Sequence, residues 1–286
     1  MEPILLDREL AQRIELAEAM AAASAAEYME KTEPGRAALA RIAGGYAVYC
    51  GAQSPVTQAV GIGFDGTVSE TEFDRLEHFY SSRNEAVRVE ACPLADFSLF
   101  EHFGARGYRP TEFTNVMARR LNSGEDFSFF GENITVDRVG LNQVDAWNLT
   151  VAQGFSEGAP VNQELLDIMK VFAMAPENEC YLARVDGKVA GGGTLSLRDG
   201  VAGLFGASTL PVFRNRGVQT ALLSARLTRA RAAGCDLAAC LAAPGSSSQR
   251  NIVRKGFQVL YTRVKFEREW TDRESQESQT SEGKDA

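Results

Sequence analysis

The chain of 286 residues is poor in the side chains that build metal centres and disulfide frameworks. It contains two histidines, His78 and His102, and five cysteines, an odd number without a C-x-x-C pair. Structural zinc sites use clustered Cys and His ligands, and disulfide scaffolds use paired cysteines. We therefore expect no metal, no disulfide framework and a reducing, cytoplasmic location.

An excess of positive charge and long apolar runs are also missing. Lys and Arg total 30 against 38 Asp and Glu, and the formal net charge is −8. Nucleic acids and anionic membranes attract basic surfaces, so we expect neither as a partner. No apolar run approaches the roughly 20 residues that cross a bilayer. Residues 10–29 are rich in alanine but carry charges, which predicts an amphipathic helix rather than a signal peptide.

One segment of the chain is typical of an anion-binding site. Residues 201–209 predict an apolar strand, and residues 219–233 predict a helix with an apolar stripe. The loop between them carries Arg214, Arg216 and Gly217. Unpaired backbone N–H groups and the positive end of a helix dipole meet at such a junction, and glycine lets a ligand approach closely. The segment therefore predicts a phosphate or pyrophosphate site.

This loop resembles the acetyl-CoA pyrophosphate loop of the GCN5-related N-acetyltransferases (GNAT), whose pattern is R/Q-x-x-G-x-G/A. Arg214, Gly217 and Gln219 occupy the three pattern positions, so the last one departs from Gly or Ala. A Gln side chain that points to solvent would leave the backbone amides accessible. The resemblance implies acetyl-CoA as the acyl donor and a set of cofactor-binding residues. These residues are Leu210, Val212, Arg214, Asn215, Arg216, Gly217, Val218, Gln219, Thr220, Ser248 and Asn251.

The segments around the loop favour the same family. Asp-Gly turns between apolar runs are typical of hairpins, and a Gly-Phe pair precedes the last predicted strand. The predicted elements are strands at 180–185, 189–197, 201–209 and 237–242, a helix at 246–255 and a strand at 258–267. The resemblance implies an α/β (α+β) fold, in which a mixed, mostly antiparallel central sheet is flanked by helices.

An internal repeat predicts that the chain contains two such units. Residues 107–116 echo residues 256–264, and a strand and a helix precede each copy. The loop of the first copy carries Asp65 and Glu70, carboxylates that would repel pyrophosphate, so we expect one cofactor site per chain. The predicted organisation is a degenerate GNAT-like domain without a cofactor loop at 1–120, a linker at 121–132, an acetyl-CoA-binding GNAT domain at 133–270 and a disordered tail at 271–286.

The resemblance also implies direct attack of an amine on the thioester in a ternary complex. A backbone N–H near the end of the strand, from Leu210 or Val212, would stabilise the oxyanion. The Glu that the family usually carries on this strand is missing from residues 201–209, and Ile252 stands where a Tyr often protonates the leaving thiolate. The general base and acid are therefore not identified by the family pattern.

Two residues are candidates for the missing catalytic roles. Tyr261, in the last predicted strand, is the candidate to protonate the leaving thiolate. The alternative interpretation is an aromatic side chain that only packs in the core. Glu157 is the candidate general base, because it lies in the helix–helix loop that commonly lines the acceptor pocket in the family. The alternative interpretation is a solvated loop residue without a catalytic role. Glu177 and Glu179 are further carboxylates, and Cys240 is interpreted as a small buried residue.

We expect an acetyl-CoA-dependent N-acetyltransferase that acts on an amine of a small molecule or peptide. The alternative is a non-catalytic acyl-CoA-binding or sensor protein that keeps the cofactor loop but lacks the catalytic base. The identity of the acceptor, the role of the N-terminal unit in the acceptor site or in association, and the choice between monomer and homodimer stay open.

Overall fold

The computed structural model describes residues 3–52, 54–129, 131, 133–156 and 158–270. The predicted tail at 271–286 lies outside these residues. The chain divides into two compact units. The N-terminal unit comprises residues 5–116, 242–251 and 259–270, and the second unit comprises residues 3–4, 117–241 and 252–258.

The described residues form seven α-helices and eleven strands. The helices are α1 (Arg8–Thr32), α2 (Glu70–Ser81), α3 (Phe97–Ala105), α4 (Val144–Phe155), α5 (Gln163–Met174), α6 (Val218–Ala232) and α7 (Ser247–Val253). The strands are β1 (Ala38–Ile42), β2 (Gly45–Tyr49), β3 (Gln58–Val60), β4 (Val87–Ala91), β5 (Arg109–Arg120), β6 (Ile134–Arg138), β7 (Asn178–Val185), β8 (Lys188–Arg198), β9 (Val201–Thr209), β10 (Leu237–Ala242) and β11 (Gln258–Arg268).

Each unit is built on a mixed sheet. The N-terminal unit has the strand order β1-β2-β3-β4-β11-β5, and the second unit has the order β5-β10-β9-β8-β7-β6, with residues 117–120 of β5 in the second unit. The pairs β3–β4 and β9–β10 run parallel. The pairs β1–β2, β2–β3, β4–β11, β6–β7, β7–β8 and β8–β9 run antiparallel. Helices flank both sheets, so the predicted fold class is confirmed.

Local sequence signals explain most of the element boundaries. The β7–β8 and β8–β9 hairpins turn at Asp-Gly pairs, and Asp186 and Asp199 have φ values of 51° and 46°. Positive φ at both central residues is the signature of the type I′ turn that matches strand twist. Helix α2 begins at a capping box in which Ser69 and Glu72 bond each other's backbone. These signals depend only on neighbouring residues, which is why the sequence predicts them.

Three consecutive glycines on β8 let helices approach both faces of the second unit's sheet. A Cβ on Gly192 would lie 2.7 Å from Val151 Cγ2 of α4, whereas a Cβ on Gly193 would lie 3.0 Å from the Arg226 guanidinium of α6. Because successive strand residues point to opposite faces, α4 and α6 lie on opposite sides of β8. The glycine run therefore fixes the position of α6 against the sheet.

Strand β11 pairs with a strand of the N-terminal unit. The predicted domain at 133–270 includes this strand, and those bounds stay a prediction. In the structure β11 pairs antiparallel with β4, from Val264 opposite Ala91 to Arg268 opposite Val87. Residues 259–270 accordingly belong to the N-terminal unit.

A buried ion cluster links β11 to the rest of the N-terminal unit. Arg263 Nη1 lies 2.8 Å from Glu18 Oε2 and 3.3 Å from Glu15 Oε2, both on α1. Its Nε lies 2.9 Å from Glu90 Oε2 on β4, an ion-pair contact without hydrogen-bond alignment. The Arg263 side chain is 2% exposed, so its charge depends on these carboxylates. The cluster supplies a specific reason for β11 to pair with β4.

Glu15 makes the stability of the N-terminal unit depend on pH. Burial raises the pKa of the Glu15 carboxyl from its ordinary 4.5 to about 7, although Arg263 opposes the shift. A raised folded-state pKa gives stability that is present below the unfolded value and lost as the pH rises through the folded value.

We expect the free energy of unfolding to fall between about pH 5 and pH 8, by roughly 3 kcal/mol at most. Urea titrations across this range measure the slope, and Glu15→Gln should flatten it while keeping an acceptor for the Tyr261 hydroxyl. The same slope in Glu15→Gln would assign the titration to another group.

Candidate functional site

The junction between β9 and α6 forms a sharply turned loop. After Thr209 the chain makes a short 3-10 turn over Pro211–Phe213, and α6 begins at Val218 with Gly217 as its N-cap. Asn215 and Gly217 have φ values of 61° and 88°, in the left-handed region that Asn and Gly tolerate best. A Cβ on Gly217 would also lie 3.2 Å from Phe129 Cζ. Backbone conformation and space therefore both call for glycine at position 217.

The first turn of α6 directs backbone amides out of the helix. The bond from Ala221 N–H to Gly217 O, at 3.0 Å, is the first of the helical ladder. The N–H groups of Val218, Gln219 and Thr220 precede it and have no carbonyl four residues back within the helix. Together with the helix dipole, these amides favour a bound anion.

Two arginines add positive charge beside these amides. Arg214 Nη2 donates to Gly154 O at the end of α4 over 3.4 Å. Arg216 Nη2 lies 3.5 Å from Asp186 Oδ2, and its guanidinium lies 5.7 Å from the centre of the Phe213 ring. The contact of Arg216 is long and its side chain is half-exposed, so it is weak, and an anionic ligand can compete for this guanidinium group.

The two backbone N–H groups that the sequence predicts as oxyanion donors differ in whether they are already hydrogen-bonded. The Leu210 N–H donates to Ala190 O on β8 over 2.9 Å and is part of the sheet. Pro211 has no N–H. Among the described residues the Val212 N–H has no acceptor, and its side chain is 78% exposed. Val212 therefore retains an available amide, whereas the Leu210 amide is already engaged.

Gln219 is exposed, as the sequence suggests, and it also makes a side-chain hydrogen bond. Its Nε2 donates to Thr209 Oγ1 over 2.8 Å, which connects the first turn of α6 to the last residue of β9. The residue that departs from Gly or Ala in the family pattern is therefore tied to the end of the strand.

Helix α6 is held on the sheet by its buried face. Val218 is 2% exposed and faces Gly191 of β8. Arg226 is buried, and its Nη1 donates to Thr194 O on β8 over 2.9 Å. Burial lowers the pKa of Arg226 to about 10, so it stays charged at neutral pH. These contacts fix the helix N-terminus relative to the end of β9.

The β9–α6 junction lies in a segment that matches a known protein family. Residues 145–257 match the model of the acetyltransferase (GNAT) family. The similarity to the GNAT family covers this segment of the chain. The matched segment contains the whole β9–α6 junction and ends immediately before β11.

Solved GNAT structures share the fold at low sequence identity. A GCN5-related N-acetyltransferase from Kribbella flavida is 14% identical, with a TM-score of 0.62 over 88% of this chain and 96% of that one. A tandem GNAT protein from the clavulanic acid biosynthesis pathway is 12% identical, with a TM-score of 0.59 over 92% and 97%. A relative from Sphaerobacter thermophilus is 20% identical, with a TM-score of 0.51 over 65% and 60%. These similarities concern the fold, and no curated protein matches the sequence.

The remaining predicted cofactor residues lie on α7. Ser248 and Asn251 are both exposed. They fall within residues 242–251, which group with the N-terminal unit. Their role in cofactor binding stays a prediction.

The two candidate catalytic residues differ in what the structure says of them. Glu157 lies outside the described residues. Tyr261 is buried in the N-terminal unit, where its hydroxyl donates to Glu15 Oε1 over 2.8 Å. Burial, with the nearby Glu15 charge, raises the pKa of the Tyr261 phenol well above its ordinary value. Its catalytic role stays a prediction, and its observed partner belongs to the buried ion cluster.

Other reactive side chains of the GNAT segment are engaged or protonated. Burial raises the pKa of Glu179, but hydrogen bonds from Arg229 and Tyr181 outweigh this effect and lower it. Glu177 pairs with Arg198. Burial raises the pKa of the Cys240 thiol to about 12, which agrees with a small buried residue rather than a nucleophile.

The corresponding loop of the N-terminal unit is occupied by its own side chains. Ile62 and Phe64 are buried, and Arg8 Nη2 donates to Gly63 O and Phe64 O over 3.2 and 3.0 Å. Glu72 caps the N-terminus of α2 with a carboxylate. A helix N-terminus that already has an internal anion is a poor site for a second one.

In the described part of the chain, no group of three or more His, Cys, Asp and Glu side chains is arranged to hold a metal ion. Within the same residues, no helix has the length and apolar character to cross a membrane.

Proposed function

We propose that this protein is an acetyl-CoA-dependent N-acetyltransferase. The observation that carries the proposal is the N-terminus of α6, where first-turn amides, Arg214 and Arg216 surround a glycine whose left-handed φ turns the loop. A pyrophosphate matches this set of donors because it is a compact dianion that accepts many hydrogen bonds. The match of residues 145–257 to an acetyltransferase family supports acyl transfer as the reaction class.

In this proposal the protein positions the thioester and the amine for direct attack. The Val212 N–H is the backbone donor for the developing oxyanion, because the Leu210 N–H is engaged in the sheet. The amine must be neutral to attack, and its proton passes to water, since β9 carries no carboxylate. The acceptor is an amine of a small molecule or peptide, and acetyl-CoA is the donor without a metal.

We further propose one donor site per chain. The loop of the N-terminal unit is filled by Ile62, Phe64 and Arg8, so of the two corresponding loops we assign the pyrophosphate to the β9–α6 junction. The five cysteines are buried and form no disulfide; they are Cys50, Cys92, Cys180, Cys235 and Cys240. Unoxidised thiols fit the reducing cytoplasm that we propose as the location.

A non-catalytic acyl-CoA sensor is the second candidate function. It is favoured by one observation, the absence of a carboxylate from β9 together with Ile252 in place of a tyrosine. A sensor would keep the pyrophosphate site and lose turnover.

Calorimetry and a thiol-release assay separate these functions. We expect one acetyl-CoA bound per chain and release of CoA thiol with at least one member of an amine panel that includes polyamines, aminoglycosides and peptide N-termini. Binding without acetylated product across the panel would favour the sensor. Two acetyl-CoA molecules per chain would contradict the single donor site, and no binding would overturn both functions.

A further inference from the structure

Gln219 and Thr209 form a polar pair at the place where β9 ends and α6 begins. Gln219 Nε2 donates to Thr209 Oγ1 over 2.8 Å. The family pattern has Gly or Ala at position 219, so a residue without a side-chain amide cannot make this bond. The pair is therefore a feature of this chain that the pattern itself does not explain.

The bond leaves the Thr209 proton without a protein acceptor. A hydroxyl has one proton and two lone pairs, and Gln219 uses a lone pair. Thr209 is 8% exposed, and in the described part of the chain its hydroxyl donates no hydrogen bond. A buried donor without an acceptor is costly, so a ligand at the end of β9 would be a favourable partner.

Apart from the Val212 N–H, the other donors near the strand end are engaged or absent. The Leu210 N–H is bonded to Ala190 O, and Pro211 has none. Ser208, the preceding residue, donates its hydroxyl to Val151 O over 2.9 Å. Of the two hydroxyl groups at the end of β9, the one on Thr209 thus has a proton that is not used in a hydrogen bond.

We propose that the Thr209 hydroxyl donates a hydrogen bond to the acyl carbonyl oxygen, and that Gln219 is a positioning residue that orients it. This proposal rests on the proposed acetyltransferase function. The amine nitrogen attacks the thioester carbon, the carbonyl π pair moves to oxygen, and this oxygen accepts the Thr209 bond without taking its proton. When the carbonyl re-forms, the C–S bond breaks, CoA leaves as thiolate and the surplus amine proton passes to water.

Isosteric variants test the proposal. Thr209→Val removes the hydroxyl at constant shape and should lower kcat by about 100-fold, because an oxyanion donor contributes mainly in the transition state. The affinity for acetyl-CoA should change by less than about 3-fold, since its main anchor is the pyrophosphate. Thr209→Ser should recover most of the rate. Gln219→Met should lower kcat by roughly 10-fold and have no further effect in the Thr209→Val background.

The outcomes distinguish this proposal from the underlying function. If the wild-type protein turns over acetyl-CoA and Thr209→Val keeps its kcat, the donor role of Thr209 is overturned while the enzyme function stands. If Thr209→Val instead weakens acetyl-CoA binding and leaves kcat intact, the pair braces the cofactor loop and the proposal is also overturned. A wild-type protein without turnover would overturn the function, and the Thr209 role with it.

Discussion

Replacing Arg263 with methionine is expected to destabilise the N-terminal unit by about 3–5 kcal/mol. The substitution keeps the volume of an unbranched side chain but removes the positive charge that faces Glu15, Glu18 and Glu90. Glu15 and Glu90 are both buried, so their carboxylates would lose a counter-charge in a place that water does not reach. Removing one member of a buried ion cluster costs more than the pair contributed, because the remaining charge is left uncompensated.

Urea unfolding and hydrogen exchange of α1 and β4 peptides measure this loss. Arg109→Met is the matched control, because Arg109 is exposed on β5, and it should change the free energy of unfolding by less than about 0.5 kcal/mol. An Arg263→Met protein within about 1 kcal/mol of the wild type would show that the cluster does not hold β11 in place.

The position of β11 shows where sequence reasoning stops. The strand itself is predicted within one residue of its observed end, because its apolar pattern and the preceding Gly-Phe pair are local signals. Its partner is not predicted, because the two halves of the chain present similar Gly-aromatic strands. The residues that decide the pairing, Glu15 and Arg263, are separated by 248 positions. A charge match over that distance has no signature in either local segment.

In the predicted cofactor loop, too, the sequence predicts the local features but not the contacts between distant residues. Arg214, Gly217 and the start of α6 are evident from the sequence, since a strand, an Arg-Gly loop and an apolar-striped helix follow one another. The sequence does not show that the Leu210 N–H is bonded within the sheet. This bond depends on the register between β9 and β8, which is irregular near Gly192. The bond from Gln219 to Thr209 likewise requires the loop to fold back through ten positions. The sequence therefore predicts the anion site, and the structure is needed to identify which donors stay available.

Reversing the charge of both loop arginines, Arg214→Glu with Arg216→Glu, is expected to weaken acetyl-CoA binding by at least about 100-fold. Each lost charge-assisted hydrogen bond costs roughly 1.5–3 kcal/mol, and each new carboxylate repels the pyrophosphate. Stability should change little, because both side chains are exposed on the protein surface. This pair is a cleaner test than Gly217→Asp, which would place a side chain at a φ of 88° and close to Phe129.

Calorimetry with two ligands makes the test specific to the pyrophosphate. Acetyl-CoA should lose affinity in the double variant, whereas acetylpantetheine, which lacks the pyrophosphate, should bind as it does to the wild type. Arg109→Glu with Lys170→Glu is the matched control, because it makes the same change in net charge at two exposed positions, and Lys170 pairs only with the exposed Asp145 among its described ion pairs. Equal acetyl-CoA affinity in the two double variants would mean that net charge, rather than the loop at the N-terminus of α6, governs binding. An affinity that falls only in the loop variant would place the pyrophosphate between Arg214, Arg216 and the first-turn amides.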